Sequence, residues 1–456
     1  MTPLRAAGTS LLLLCALAGC AIRPDAVEAG LVLPGRFLQS GPQPAQWPDP
    51  HWWRGFNAPE LDRLMDAAST GAFDIAAAAA RVRQADAQAR IAGAALLPIL
   101  TGGADTSRGQ SGGGNRRTTS YSASLTASYE VDFWGLNRNN ADAAAQAARA
   151  SRFDAATVML TTQASVANTY FDIVTTREQL RVQTENLDAA RRILSIIRSQ
   201  VAAGIATGLD LAQQETLVAQ QEAQLPSLRQ SIAQSTNSLA VLGGLPPEQV
   251  MVATGGLEGL TTPTTAPGLP SELLARRPDV LFAEAQLAAA NADIAAARAA
   301  LLPSVTLSAQ GGFSSLVLGT LLRPDAQFWS LGAGLAQTIF DGGALRGRVA
   351  LTQAQAEELV VAYRRAIVAA LADVEDSLVA LRETTAQESL RQEAANRAAR
   401  AASIAEAQLR AGTINLITLL NTQQTLFSAR ISLVQARLSR LQAAVGLFRA
   451  LGGGWQ

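Results

Sequence analysis

The sequence predicts an α+β membrane protein assembled from one duplicated unit of long helices and amphipathic strands. Three observations carry that prediction. Landmarks recur in the same order in both halves of the 456-residue chain, heptad stripes run too far for a globular core, and the segments between them switch to a period of two.

The string Ala-Ala-Leu-Leu-Pro occurs at 94–98 and again at 299–303, each time closing an Ala-rich helical stretch and opening a region of strand character. Asp132-Phe133-Trp134-Gly135 follows in the first copy and Phe340-Asp341-Gly342-Gly343 in the second, each read as a strand end. Ala203-Gly204-Ile205 is then echoed by Ala411-Gly412-Thr413, and Leu242-Gly243-Gly244 by Leu451-Gly452-Gly453. One match is chance in an Ala-rich chain; four in register indicate duplication.

From about Asn139 to Ala203 no proline interrupts, and Val166, Ile173, Leu180, Leu187, Leu194 and Val201 fall seven apart. At about 1.5 Å per residue such a helix is roughly 100 Å long, beyond the usual globular range. After Gly204 the stripe returns with Leu211, Val218, Leu225, Ile232 and Leu239, with a bend expected at Pro226. The second copy goes out with Val360, Ile367, Val374 and Leu381. It returns with Ile417, Ile431, Leu438 and Val445 interleaved with Leu420, Phe427, Val434, Leu441 and Phe448. A seven-residue period implies left-handed supercoiling of packed helices.

In Ser120 to Phe133 the odd positions are apolar and the even ones polar, so the strand faces two different solvents. Val305, Leu307 and Ala309 alternate with Thr306 and Ser308, and Trp329, Leu331, Ala333, Leu335 and Ile339 alternate with small or polar residues. Ile99 to Ser107 is a strand by symmetry with the second copy. Each copy thus carries a hairpin, with a polar, Gly-rich tip at 109–117 and a more apolar one at 314–327. Membrane strands need about nine to eleven residues and alternate in this way. Four strands leave open edges that lipid does not tolerate, so other copies of the chain must complete the barrel.

Composition removes other classes. The 37 basic residues are all Arg and are balanced by 37 acidic ones, so no basic stripe awaits nucleic acid. The single histidine, His51, beside Trp52 and Trp53, reads as a surface or packing residue. With Cys15 and Cys20 it leaves too few ligands for a zinc, haem or iron-sulfur site. No phosphate-cradling Gly loop, HExxH motif or nucleophile with a histidine is present, so neither catalytic residues nor a cofactor is expected.

The N-terminus reads as a signal peptide at 1–19, with Arg5 and an apolar run from Leu11 to Leu17 too short to span a bilayer. Leu17-Ala18-Gly19-Cys20 resembles a bacterial lipobox, in which cleavage precedes an acylated cysteine; a plain secretory signal ending in Cys is the alternative. Acyl chains on Cys20 would each contribute about 0.8 kcal/mol per buried methylene. Where such lipoproteins commonly carry an inner-membrane retention Asp, this chain has Ala21, which favours the outer membrane.

Together these features resemble the TolC-type outer-membrane factors, and more closely their NodT-like lipoprotein branch in tripartite, RND-type efflux systems. The resemblance runs from around Pro59-Glu60-Leu61 to Leu451-Gly452-Gly453. It implies a homotrimer with a 12-stranded β-barrel, four strands per chain, continued by a long periplasmic α-helical coiled-coil barrel. It implies a passive exit duct for small toxic compounds such as drugs, with a periplasmic adaptor (membrane fusion protein) and an inner-membrane pump as partners. The expected organisation is a lipidated and equatorial segment at 20–73, repeat 1 at 74–245, an equatorial linker at 246–272, repeat 2 at 273–451 and a tail at 452–456.

The resemblance also implies roles for the turns. Gly204-Ile205 and Gly412-Thr413 match the tips where adaptor hairpins dock, although backbone reversal alone accounts for each Gly. The periplasmic gate positions correspond to Thr418 and Asn421, with Ile417 on the adjoining face; the acidic pair common in the family is missing. Asp210 matches an acidic position of the first turn, or serves as an N-cap for a helix from Leu211. Ile414 stands where some members place an answering Arg, with Arg410 nearby as a substitute. A periplasmic adaptor and a structural trimeric coiled coil are the competing classes. An adaptor has one hairpin rather than two, and a trimeric coiled coil does not require helices that fold back.

Overall fold

The computed structural model describes residues 30–39, 46–110, 117–252, 256–257 and 259–455. Cys20, its lipobox and the hairpin-tip residues 111–116 lie outside this set. The helices are α1 (Pro59–Gly71), α2 (Phe73–Ala94), α3 (Leu136–Ala202), α4 (Gly208–Gly243), α5 (Pro270–Leu274), α6 (Pro278–Ala299), α7 (Ala344–Arg410) and α8 (Leu416–Ala450). The strands are β1 (Ile99–Gln110), β2 (Arg117–Val131), β3 (Ser304–Ser315) and β4 (Gln327–Ala336).

The order α2-β1-β2-α3-α4 repeats as α6-β3-β4-α7-α8, so the duplication read from the landmarks is a duplication of the fold. Helices α3 and α7 have 67 residues each. Helix α3 begins at Leu136, slightly ahead of the expected Asn139. Pro226 lies inside α4, which continues through it. Two short helices escaped the sequence reading: α1, within the segment assigned to the N-terminal region, and the five-residue α5. Both carry Pro at their N-terminal ends, where its missing N–H costs nothing.

By its contacts the chain divides into two compact units. One comprises Arg81–Arg152 and Phe282–Arg365 with the described residues up to Leu31; the other comprises Val32–Ala80, Phe153–Leu281 and the chain from Ala366 onward.

The first unit holds the sheet, four antiparallel strands in the order β1-β2-β3-β4. Among the described residues both outer edges, on β1 and β4, are without a pairing strand. Ile339 falls beyond β4, so the alternation assigned to it is not that of a strand; the chain has left the sheet after Ala336.

The second unit holds the main apolar core. A short 3-10 helix, Trp52–Phe56, sets Trp52 flat against Phe448 with centroids 5.2 Å apart and Phe56 against Phe171 at 5.0 Å. His51 sits edge-on to Trp53 at 5.3 Å, as a packing residue. The heptad stripes supply the rest: Val166, Ile173, Leu187, Leu194, Leu239, Ile367, Val374, Val434, Leu441, Val445 and Phe448 are all buried. Arg277 is also buried here, and its guanidinium bridges Asp279 at 2.6 Å and Asp373 at 2.9 Å. That double pairing removes the cost of an isolated buried charge.

The stripe fails in one place. Ile417 was expected at a core position and is 53% exposed. The core there is made by Leu416 and Leu419 with Ile193, Ile197 and Ala405. The buried positions at this end, Leu416, Leu419, Gln423 and Leu426, lie on the adjoining face, because a strict seven-residue repeat drifts by about 20° per heptad against a helix of 3.6 residues per turn. Near the C-terminal end the indole N–H of Trp455 donates to the carbonyl of Arg276 at 2.6 Å, and its ring lies edge-on to Phe153.

Candidate functional site

The sheet register shows how one strand set can face two solvents. Residues paired across antiparallel strands share a face. One set of rows reads Leu100, Ala127, Ala309, Leu331; then Gly102, Leu125, Gly311, Trp329; then Tyr129, Leu307, Ala333; then Val131, Val305, Leu335. The opposite face reads Thr101, Thr126, Gln310, Ser330 in one row and Glu130, Thr306, Gly334 in another, with Ser128 and Ser308 between them and Ser122, Ser124 and Ser314 beyond; Ile99 and Phe328 are its large apolar members. The apolar rows are uncovered: Trp329 is 76% exposed, and Leu100, Leu125, Leu331 and Leu335 are exposed as well. Such a continuous apolar face opposite a hydroxyl-lined one is the pattern of a wall between lipid and a water-filled lumen. Gly312 is required on this wall, because a Cβ there would lie 2.2 Å from the carbonyl oxygen of Ala123.

The second strand of each copy, β2 and β4, passes into a long helix through the repeated aspartate. Asp132 accepts hydrogen bonds from the amides of Asn137 and Arg138, both at 2.9 Å, at the start of α3. Asp341 accepts from Gly343 at 2.8 Å and Leu345 at 2.7 Å at the start of α7. A carboxylate on the first free amides of a helix neutralises their partial positive charge. The donated bonds, that of Leu345 foremost, hold the Asp341 carboxyl below its ordinary range. The motif read as a strand end is therefore a helix cap, with the strands finishing at Val131 and Ala336. Beside it, the Trp134 indole donates to the carbonyl of Pro303 at 2.6 Å, joining the first copy's Asp motif to the second copy's Ala-Ala-Leu-Leu-Pro.

The turns at the far ends of the long helices are built alike. Gly204 has φ +75° and Gly412 φ +72°. Ile205 N–H donates to the carbonyl of Gln200 at 2.8 Å and Gly204 N–H to Val201 at 3.0 Å; Thr413 and Gly412 repeat these bonds to Gln408 and Leu409 at 2.9 and 3.0 Å. This is the Schellman arrangement, which satisfies the last helical carbonyls and needs left-handed backbone at one residue. Space is open around both glycines, so conformation alone selects them. Ile205 is 76% exposed.

Each turn then caps the returning helix. The amide of Asp210 donates to Thr207 Oγ1 and the amide of Thr207 to Asp210 Oδ2, so Thr207 is the N-cap and Asp210 the third helical residue of a capping box. The helix starts at Gly208 rather than Leu211, which corrects the reading of Asp210 as the cap itself. At the same place in the second copy, Asn415 Oδ1 accepts from the amide and the hydroxyl of Thr418 at 2.9 and 2.7 Å. The Thr418 hydroxyl is thereby engaged. Asn421 is exposed, its carbonyl accepting from the Thr425 hydroxyl. Arg410 pairs within its own helix with Glu406 at 2.5 Å. Both N-caps escaped the sequence reading, although Thr207-Gly-Leu-Asp210 carries the capping-box spacing.

Among the described residues no group of His, Cys, Asp and Glu could hold a metal ion. No described helix is long and apolar enough to cross a membrane.

A family model described as "Outer membrane efflux protein" matches this chain twice, over residues 64–245 and 269–453. The pyoverdine export outer membrane protein OpmQ of Pseudomonas aeruginosa is 44% identical over 98% of this chain and 97% of its own. The probable outer membrane lipoprotein SilC of Salmonella typhimurium is 29% identical, covering 96% of each chain. The open-state MtrE outer membrane channel of Neisseria gonorrhoeae superposes with a TM-score of 0.89 at 26% identity, covering 96% of this chain and 99% of that one. The two matches fall one on each copy of the duplicated fold, and the chain belongs to the outer membrane efflux proteins, the outer-membrane channel components of efflux pumps.

Proposed function

We propose that three copies of this chain close a 12-stranded barrel in the outer membrane and form a passive exit duct whose cargo includes a secreted iron chelator of the pyoverdine kind. One observation carries the duct: a four-stranded sheet with an apolar face, a hydroxyl-lined face and two open edges. Unpaired strand edges are not tolerated in lipid, and edge-to-edge closure by further copies satisfies them. The cargo reading rests on the 44% identity to OpmQ along almost the whole of both chains.

In this reading the mature N-terminus is held by acyl chains on Cys20, which the lipobox and the likeness to SilC support. Past the anchor the chain is held down: Phe37 is buried, and the amides of Leu38 and Gln39 donate to the Glu375 carboxylate at 2.5 and 3.1 Å. The tips at Gly204-Ile205 and Gly412-Thr413 receive a periplasmic adaptor, with exposed Ile205 the apolar contact. The mouth is narrowed by Asp210, Ile417, Thr418 and Asn421. Selectivity lies in the inner-membrane pump, and no reaction is assigned to the duct.

Deleting the gene and measuring chelator in the medium under iron limitation, beside susceptibility to a panel of toxic compounds, tests this reading. Loss of secreted chelator with retention in the periplasm supports the cargo. Unchanged secretion with raised susceptibility moves the cargo to toxic compounds. If neither changes, the duct reading fails.

A further inference from the structure

We propose that Arg108 and Arg117, on the lipid-facing side of the first hairpin, form a binding site for the phosphorylated headgroups of the outer leaflet. The site rests on the outer-membrane reading of the sheet. Its placement follows from the register. On the apolar face, Thr106 pairs with Tyr121, Arg108 with Thr119 and Gln110 with Arg117. The two arginines therefore continue the rows that hold Leu100, Leu125 and Ala123, at the end of the sheet remote from α2 and α3.

Depth agrees with headgroups. From Val131 to Tyr121 the strand is about 34 Å long at a rise of about 3.4 Å per residue. With a tilt of about 40° that is about 26 Å along the membrane normal, close to the ~25 Å apolar band of such barrels. Tyr121 then stands at the level of the aromatic girdle. Arg108 lies one same-face step beyond it and Arg117 a further step, past the hydrocarbon.

Charge is the second, independent observation. Arg108 and Arg117 are diagonal neighbours on one face, roughly 7 Å apart. Both are exposed, and no hydrogen bond or ion pair joins either guanidinium to another described residue. No strand residue on this face carries a carboxylate: Asp105 pairs with Ser122 on the opposite face, and the sequence holds no acid between Asp105 and Glu130. Two like charges held together without a counter-charge repel, and a shared anion relieves that repulsion. Guanidinium groups match phosphate oxygens in paired, directional hydrogen bonds. In the membrane the phosphate available at this depth is that of a lipid headgroup.

The test uses the full-length, detergent-solubilised channel and its R108Q/R117Q variant, with R108K/R117K as the charge-conserving control. The probes are lipid A carrying its phosphates, lipid A stripped of them, and inorganic phosphate. Expected is binding of phosphorylated lipid A by the wild type at least tenfold tighter than by R108Q/R117Q, about the worth of one charge-assisted hydrogen bond. The stripped lipid should bind both proteins alike, and the Lys variant should lie between. Equal binding of phosphorylated lipid to wild type and R108Q/R117Q overturns the site. Equally tight binding of inorganic phosphate overturns the lipid as its ligand. Failure of the channel to enter bilayers at all would instead remove the outer-membrane reading of the sheet.

Discussion

Thr207 and Asp210 hold each other across the first turn of α4: the Thr207 amide and hydroxyl both donate to one Asp210 oxygen, at 2.8 and 2.7 Å, and the Asp210 amide donates back at 3.2 Å. At the matching turn Asn415 caps α8 one way and without a charge, its Oδ1 accepting from both the amide and the hydroxyl of Thr418. Replacing Thr207 or Asn415 by Ala should each cost about 1 kcal/mol, the usual worth of an N-cap. Amide exchange should quicken at Asp210 in the first variant and at Thr418 in the second. The Thr207 hydroxyl, and then its amide, hold the Asp210 carboxyl below its ordinary range. A depressed folded value means that the cap's contribution is complete above the unfolded carboxylate value of about 3.9 and disappears as pH falls through the lower folded one. Protection factors at this turn, which take out the intrinsic pH dependence of exchange, should therefore be flat from pH 8 to 5 and fall only in stronger acid.

The four landmark glycines separate into two kinds. Gly204 and Gly412 need only left-handed backbone, so Ala at either should cost about 1–2 kcal/mol and leave assembly intact. Gly244 and Gly452 have φ +65° and +90° and also sit hard against backbone. A Cβ would lie 2.0 Å from the carbonyl oxygen of Gly71 in one and 2.5 Å from that of Arg276 in the other. Ala at these two should sharply reduce the yield of assembled channel on a native gel while Ala at Gly204 does not.

The two faces of the sheet should answer oppositely to the same residue. Arg in place of Leu125 or Leu331, on the apolar rows, should destabilise the inserted channel by about 2–4 kcal/mol in reversible unfolding from a bilayer. Arg in place of Ser124 or Ser128, on the hydroxyl face, should leave stability within about 1 kcal/mol and change single-channel conductance instead. Equal losses on both faces would mean that the faces are misassigned.

Asp172 is half-buried in α3 and accepts a hydrogen bond from Gln442 of α8 at 2.9 Å. Burial raises its carboxyl above the ordinary range despite that bond. A raised carboxylate binds its proton more tightly when folded, so stability falls as pH rises through the folded value. Asp172→Asn keeps the acceptor and removes the charge. It should leave stability at pH 7 unchanged or raise it by up to about 1 kcal/mol, and the gain in melting temperature on mild acidification should be smaller than in the wild type.

Much of this fold is legible in the sequence because its determinants are periodic. A period of seven over sixty residues and a period of two over a dozen survive any local irregularity, and Val166, Ile173, Val434 and Leu441 are buried as their spacing demands. Terminal geometry is less legible. Asp132 and Asp341 stand at strand ends in the sequence, yet they bond to amides several residues ahead, which only the three-dimensional turn reveals. Ile417 departs from its stripe because a strict period of seven drifts by about 20° per heptad against 3.6 residues per turn, and the buried face has moved to Leu416 and Leu419 at that end of α8. The close approaches at Gly244 and Gly452 depend on α1 and on the chain just after α5, whose contacts no local pattern announces.

The central claim is that a sheet with an apolar face and two open edges is one part of a closed barrel. The mass of the purified full-length channel in detergent, measured by light scattering or native mass spectrometry with the bound detergent accounted for, tests it most directly. The predicted result is three copies of the chain in one particle that stays intact on dilution. A folded, stable monomer would contradict the account, because one chain cannot pair the edges of β1 and β4.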